Sequence, residues 1–131
     1  MIESGKSRRL KGHNAERYYV KIFREIGFTN CTTTRFSSRY LDSLKIDLDN
    51  LPFNIQIKAG EQKNTNFSKL LIEIKEFIKE NTKDNNIIKK PLVIIHKKDT
   101  KRGTRKSEYN EIVYMTFSDL VKIINFKNDK M

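Results

Sequence analysis

Ile46-Asp-Leu-Asp-Asn-Leu-Pro-Phe-Asn-Ile-Gln-Ile-Lys-Ala-Gly60 is the stretch on which the reading of the chain turns. Asp49-Asn50-Leu51-Pro52 holds residues that favour chain reversal, so two short strands joined by a turn are expected. In the second strand, alternation with a period of two puts Phe53, Ile55, Ile57 and Ala59 on one face. Asn54, Gln56 and Lys58 fall on the other. The first face is apolar enough for a core. The second sets an amide oxygen and an ammonium near wherever Asp47 ends up. A carboxylate, an oxygen ligand and a lysine on neighbouring strands suit holding a divalent metal against a phosphodiester.

The 131 residues fit one domain, 1–131, with a single core. Hydrophobic residues make up 37% and charged residues 33%, which excludes a disordered chain. No apolar run approaches the ~20 residues that span a bilayer, and no apolar signal core follows the basic start. A cytosolic place, in its own cell or a host cell, is therefore expected. The single cysteine, Cys31, excludes an internal disulfide and a cysteine-rich zinc site, and reads as a small residue in a strand. A net charge of +11 implies a polyanionic partner, and nucleic acid is the usual one. An anionic membrane is the rival. It is weakened because no helix pairs a lysine-rich face with a bulky aromatic and aliphatic one.

Residues 1–12 read as a flexible basic arm carrying Arg8, Arg9 and Lys11. A helix is expected from Asn14, a capping residue, to Ile26, with Gly27 ending it. Ala15, Tyr18, Tyr19, Ile22, Phe23 and Ile26 form its buried stripe. Glu16 lies at the edge of that stripe, where it either complements the helix dipole or serves a site. The threonine-rich run from Phe28 to Phe36 reads as the first strand, and Ser37-Ser38-Arg39-Tyr40 as a loop. With Arg35, that loop offers hydroxyl and guanidinium donors suited to phosphate oxygens, a solvated turn being the plain alternative. Asp42 is a second metal carboxylate, an orienter of Lys45 or Arg39, or an ordinary turn residue.

Phe67, Leu70, Leu71, Ile74, Phe77 and Ile78 give the clearest helical stripe, with a balanced solvated face opposite. Residues 82–90 read as a loop. Leu92-Val-Ile-Ile95 then has the wholly apolar character of a central strand, with His96 at its rim. Lys97 to Lys106 holds six basic residues, Lys97, Lys98, Lys101, Arg102, Arg105 and Lys106, around Gly103. Between two strands it reads as a hairpin loop able to lie along a phosphate backbone, a solvated loop being the alternative. A strand over 111–115 follows. Thr116-Phe-Ser-Asp119 has capping-box spacing and opens a last helix with Phe117, Leu120, Val121 and Ile124 buried. The tail 127–131 is expected to fray. Strands alternating with helices imply an α/β fold with a mixed central sheet flanked by helices.

Asp47 with Gln56-Ile57-Lys58, preceded by Gly12-His-Asn-Ala-Glu16-Arg17 and by Ser37-Ser38-Arg39 with Asp42, resembles the PD-(D/E)XK nuclease superfamily. Within it the likeness is to Holliday-junction-resolvase-like enzymes of archaea and phages, and it covers roughly residues 6 to 60 well. Ile46 stands where proline often precedes the aspartate, and Gln56 replaces the usual acid, which removes one negative charge from the site. The resemblance implies a restriction-endonuclease-like core, a symmetric homodimer and cleavage of branched DNA such as a four-way junction. It implies Asp47, Gln56, Glu16 and the Ile57 carbonyl as ligands of Mg²⁺, with Mn²⁺ as a substitute, and Lys58 as the group that works on the attacking water. A nuclease for duplex or flap DNA, a non-catalytic DNA-binding protein with a decayed site, and a basic RNA-binding domain are the competing readings. The last should display exposed aromatics on a sheet face.

Overall fold

The computed structural model describes residues 5–98 and 107–129. In chain order the elements are α1 (Gly5–Ile26), β1 (Thr32–Thr33), α2 (Thr34–Ser37), α3 (Arg39–Ser43), β2 (Leu48–Asp49), β3 (Asn54–Ala59), α4 (Phe67–Asn81), α5 (Asn85–Ile88), β4 (Leu92–Lys97), β5 (Glu111–Tyr114) and α6 (Phe117–Asp129). A 3-10 turn over Glu108–Asn110 leads into β5. The fold is α/β with a mixed sheet and helices against it.

Strand β3 runs parallel to β4, with Gln56 beside Ile94 and Lys58 beside His96, and β4 pairs antiparallel with β5. The connection through 98–110 therefore joins consecutive antiparallel strands, as expected for a hairpin. Lys101, Arg102, Arg105 and Lys106 lie outside the described residues. Alternation along β3 works as read. Ile55 and Ile57 join Val93, Ile95, Ala15, Tyr19 and Val20 in a core under α1. On the opposite face, Leu92 and Ile94 meet Leu71, Ile74 and Ile78 of α4 in a second core. Each core of this kind removes several aliphatic side chains from water, worth about 1.5–3 kcal/mol apiece.

Asn66 caps α4 by accepting the Lys69 amide at 3.1 Å. Thr116 does the same for Asp119 at 3.2 Å, so the predicted capping spacing starts α6. The chain bends between β2 and β3 as read, but Asp49 is still strand and β2 pairs antiparallel with β1 rather than with β3. Asn50 takes the left-handed conformation (φ 65°), which asparagine tolerates well.

Several expectations are corrected. Helix α1 begins at Gly5 rather than Asn14, so residues 5–12 are helix and not a flexible arm. Lys and Arg are good helix formers, but a segment with one large apolar residue, Leu10, has no periodicity to reveal it. The strand read over 28–36 shrinks to Thr32–Thr33; its end from Thr34 is a one-turn helix, and a second, Arg39–Ser43, starts within the expected loop. Cys31 is buried just before that strand. Part of the expected 82–90 loop is α5. His96 is buried within β4 rather than at a rim. The backbone of α6 continues to Asp129, through the start of the expected frayed tail. Phe117, at 79% exposure, and Leu120, Val121 and Ile124 face outward instead of into a core. Among the described residues no helix is long and apolar enough to cross a membrane.

Candidate metal and nucleic-acid site

Asp47 is delivered by two local devices. Helix α3 ends in a Schellman arrangement: Ile46 N–H bonds the Leu41 carbonyl at 3.2 Å and Lys45 N–H the Asp42 carbonyl at 3.1 Å. Lys45 takes the left-handed position (φ 66°) that this closure requires. The chain then runs between two partners. Asp47 N–H donates to the Ile55 carbonyl at 2.7 Å, and the Asp47 carbonyl accepts from Thr34 N–H at 3.0 Å. The backbone is thus held on both sides, and the carboxylate turns toward β3. There Asp47 Oδ2 accepts the Ile57 amide at 2.7 Å and the Gln56 side-chain amide at 3.1 Å.

Gln56 donates its nitrogen to Asp47 and leaves Oε1 buried with no hydrogen-bond partner among the described residues. A buried acceptor without a donor costs about 1–3 kcal/mol, so this oxygen suits a hydrogen-bond donor, a water or a cation. Burial pushes the Asp47 carboxyl up to about 7. The Ile57 amide opposes this, Glu16 and Asp42 add to it with their negative charge, and Lys58 lowers it. Glu16, Asp42, Asp47 and Lys58, drawn from α1, α3, the approach to β2 and β3, therefore share one electrostatic neighbourhood. The corner is short of positive charge.

Glu16 is buried and already has a counter-ion: Arg35 reaches its Oε2 through Nη2 at 2.9 Å and through Nε at 3.1 Å. Nothing in the sequence links the two except opposite charge, because they stand nineteen positions apart. Lys58 lines an open cleft of about 420 Å³ with Lys11, Gly12, Glu61 and Gln62. The floor of that cleft is fixed from behind, since His96 Nε2 bonds the Gly60 carbonyl at 2.7 Å while its ring lies against Phe67. Ser38 is committed as the cap of α3, accepting Leu41 N–H at 3.1 Å. Arg39 and Asp42 are exposed on that helix. Arg9 and Lys98 are exposed as well, Lys97 stands 5.1 Å from the Tyr18 ring, and the Arg8 side chain lies outside the described residues.

A second opening was not foreseen. Arg17, Lys21 and Arg24 recur at helical spacing on the outer face of α1 and line a cleft of about 760 Å³ with Arg35 and Phe36. Their i, i+4, i+7 spacing is the signal that was available in the sequence. Among the described residues no group of three or more His, Cys, Asp or Glu side chains could hold a metal ion. Any cation at Asp47 would therefore rest on at most two carboxylates, with the Gln56 oxygen, backbone and water. Magnesium, which keeps several waters, accepts so sparse a donor set. No family model, curated protein or solved structure matches the chain.

Proposed function

We propose that this chain is a divalent-metal-dependent DNA endonuclease of the PD-(D/E)XK type, with a restriction-endonuclease-like core, that cuts branched DNA in the manner of a Holliday junction resolvase. The observation that carries the reading is the Asp47–Gln56 pair, where a half-buried carboxylate with a raised proton affinity stands beside a buried amide oxygen that accepts no hydrogen bond among the described residues. Both features are relieved by a cation. Asp47 and Gln56 would hold it, with the Ile57 carbonyl on the same edge of β3 as the amide that meets Asp47. Such an ion supplies positive charge at a scissile phosphate and acidifies a bound water.

The chain's own residues divide the remaining work. Lys58, at the cleft, orients the attacking water or meets the charge that develops on the phosphate oxygens. Water adds to phosphorus, one P–O ester bond breaks, and the products are a phosphate monoester and a hydroxyl. Arg35 holds Glu16 in place, and Arg39, Arg9, Lys11, Lys97 and Lys98 grip backbone phosphates with the cations of the 97–106 segment. Such contacts position DNA without reading sequence, so branch geometry decides where cutting occurs. A symmetric homodimer belongs to this reading, because a four-way junction needs two matched cuts. The uncovered apolar side of α6, next to half-exposed Val113 of β5, is a suitable surface for the second copy.

Two observations favour a non-catalytic DNA-binding protein instead, the neutral Gln56 and the sparse carboxylate set among the described residues. A panel of junction, flap, duplex and single-stranded DNA, incubated with and without Mg²⁺ or Mn²⁺, separates the two. Metal-dependent cutting of the junction that is lost in Asp47→Ala and Lys58→Ala, with junction binding retained, is the expected result. Tight binding with no cutting under either metal would leave the binding protein as the answer.

A further inference from the structure

The cleft on the outer face of α1 carries chemistry that phosphate gripping does not use. Phe36 stands beside it with 86% of its surface exposed, the largest exposure among the large hydrophobic residues described. Its position is held by a rigid turn. Thr34 is fully buried, with its hydroxyl on the Ile46 carbonyl at 2.6 Å and its amide on Asp47. Ser37 is tied to Asp49 at 2.7 Å. Arg35, between them, is drawn to Glu16. With both neighbours of Phe36 anchored, the backbone there is fixed and the ring projects into water.

The cleft wall supplies the complementary half. Arg24 is pinned by its Nε to the Cys31 carbonyl at 2.8 Å, and Arg17 and Lys21 are exposed on the same helical face. Glu25 is the single acid among the lining residues, against four cations. An exposed aromatic face next to a row of cations is how proteins hold an unpaired nucleotide, the base stacking on the ring while the backbone lies along the charges. A base paired inside duplex DNA hides its π-face, so duplex would gain from the cations alone.

We infer that this cleft takes an unpaired nucleotide of a nucleic-acid strand, its base stacked on Phe36 and its phosphates on Arg17, Lys21 and Arg24. This rests on the nucleic-acid part of the proposed function but not on metal or cutting. Arg35 belongs both to the cleft and to the Glu16 pair, so the stacked nucleotide lies next to the Asp47 corner. Unpaired bases occur at flaps, at single-strand ends and where a branch point is opened, and continuous duplex lacks them, so the cleft would recognise those features.

The test is binding without metal, in EDTA, of a labelled single-stranded oligonucleotide and a duplex of equal length. Phe36→Ala should weaken single-strand binding roughly five- to a hundredfold, the range for loss of one base–aromatic stack, and leave duplex binding nearly unchanged. The salt slope should stay as in the wild type for Phe36→Ala and fall by about one for Lys21→Gln. The chain has no tryptophan, so Phe36→Trp should restore affinity and report stacking directly by quenched indole emission on single-stranded DNA. Equal losses on both DNAs, or none on either, would overturn the stacking site, as would an unquenched indole. A wild-type protein that still binds and cuts junctions in that case would leave the nuclease reading standing. A wild type that binds no nucleic acid would sink both. An acidic polypeptide that displaces the oligonucleotide at equal charge concentration, with the same sensitivity to Phe36→Ala, would reassign the cleft to protein.

Discussion

Two carboxylates in this molecule begin from the same bond and end in opposite states. Asp47 accepts the amide of Ile57 on β3, and Asp119 accepts the amide of Leu92 on β4 at 3.0 Å. Around Asp119 the rest is cationic. Lys75 reaches it at 2.6 Å from α4, and Lys122 stands 3.5 Å away on its own helix. Burial alone would raise the Asp119 carboxyl, but Lys75, the Leu92 amide and Lys122 together hold it below the ordinary range. Around Asp47 the neighbours are a neutral amide, two more acids and one lysine that does not bond to it in the hydrogen bonds described. Asp119 is a charge-compensated joint between α6, α4 and β4: Oδ2 takes both the Lys75 and the Leu92 contacts, and Lys122 stands by Oδ1, which accepts no hydrogen bond among the described residues. Asp47 is a site short of its counter-charge, and the difference separates a carboxylate that serves the fold from one available for chemistry.

The largest effect should come from breaking the charge-compensated joint at Asp119. Asp119→Ala strands a strand amide and a lysine, and should destabilise the chain by about 2–4 kcal/mol in urea unfolding at pH 7. Because the folded carboxyl titrates below its unfolded value, the wild type holds this contribution above about pH 4 and loses it as pH falls further. A loss below about 0.5 kcal/mol would erase the contrast.

Asp47→Asn should act in the other direction and over a different range. The folded state keeps a proton on Asp47 up to about pH 7, whereas the unfolded chain gives it up near pH 4. The folded form thus binds more protons over that interval, and wild-type stability falls as pH rises through it. Asp47→Asn should equal the wild type near pH 4 and exceed it at pH 8 by roughly 1–3 kcal/mol. Equal stability at both pH values would mean that the carboxylate is already compensated.

The smallest effects sharpen the comparison through the neighbours of Asp47. Following its carboxyl carbon by NMR, Glu16→Gln should lower the titration midpoint, since it removes a negative neighbour, and Lys58→Met should raise it. Movement of both in one direction would place the control of Asp47 elsewhere.

Much of this was legible in the sequence and part was not, for identifiable reasons. Alternation along 53–59 located β3 because its two faces differ in polarity, Ile55 and Ile57 entering the core under α1 while Gln56 and Lys58 stay part-exposed. The stripe of α4 was readable for the same reason. Periodicity tells which residues share a face but not what covers the face, so the apolar side of α6 was read as core and turned out exposed. The threonines at 32–34 have strand character, yet Thr34 gives its amide to Asp47 and starts a helical turn, a decision taken by tertiary contact. For the site, Asp47, Gln56 and Lys58 could be paired from their places along two strands. The Arg35–Glu16 pair could not, because it joins distant segments through charge alone. Nor could the projection of Phe36, which depends on the anchoring of Thr34 and Ser37.

Mn²⁺ binding, followed by electron paramagnetic resonance at pH 8 and pH 5.5, tests the central claim most directly. The wild type should bind the ion at pH 8 and several-fold more weakly at pH 5.5, where a proton competes for Asp47, and Asp47→Asn should bind poorly at both. Equal Mn²⁺ binding by the wild type and Asp47→Asn, or none by either, would contradict the account.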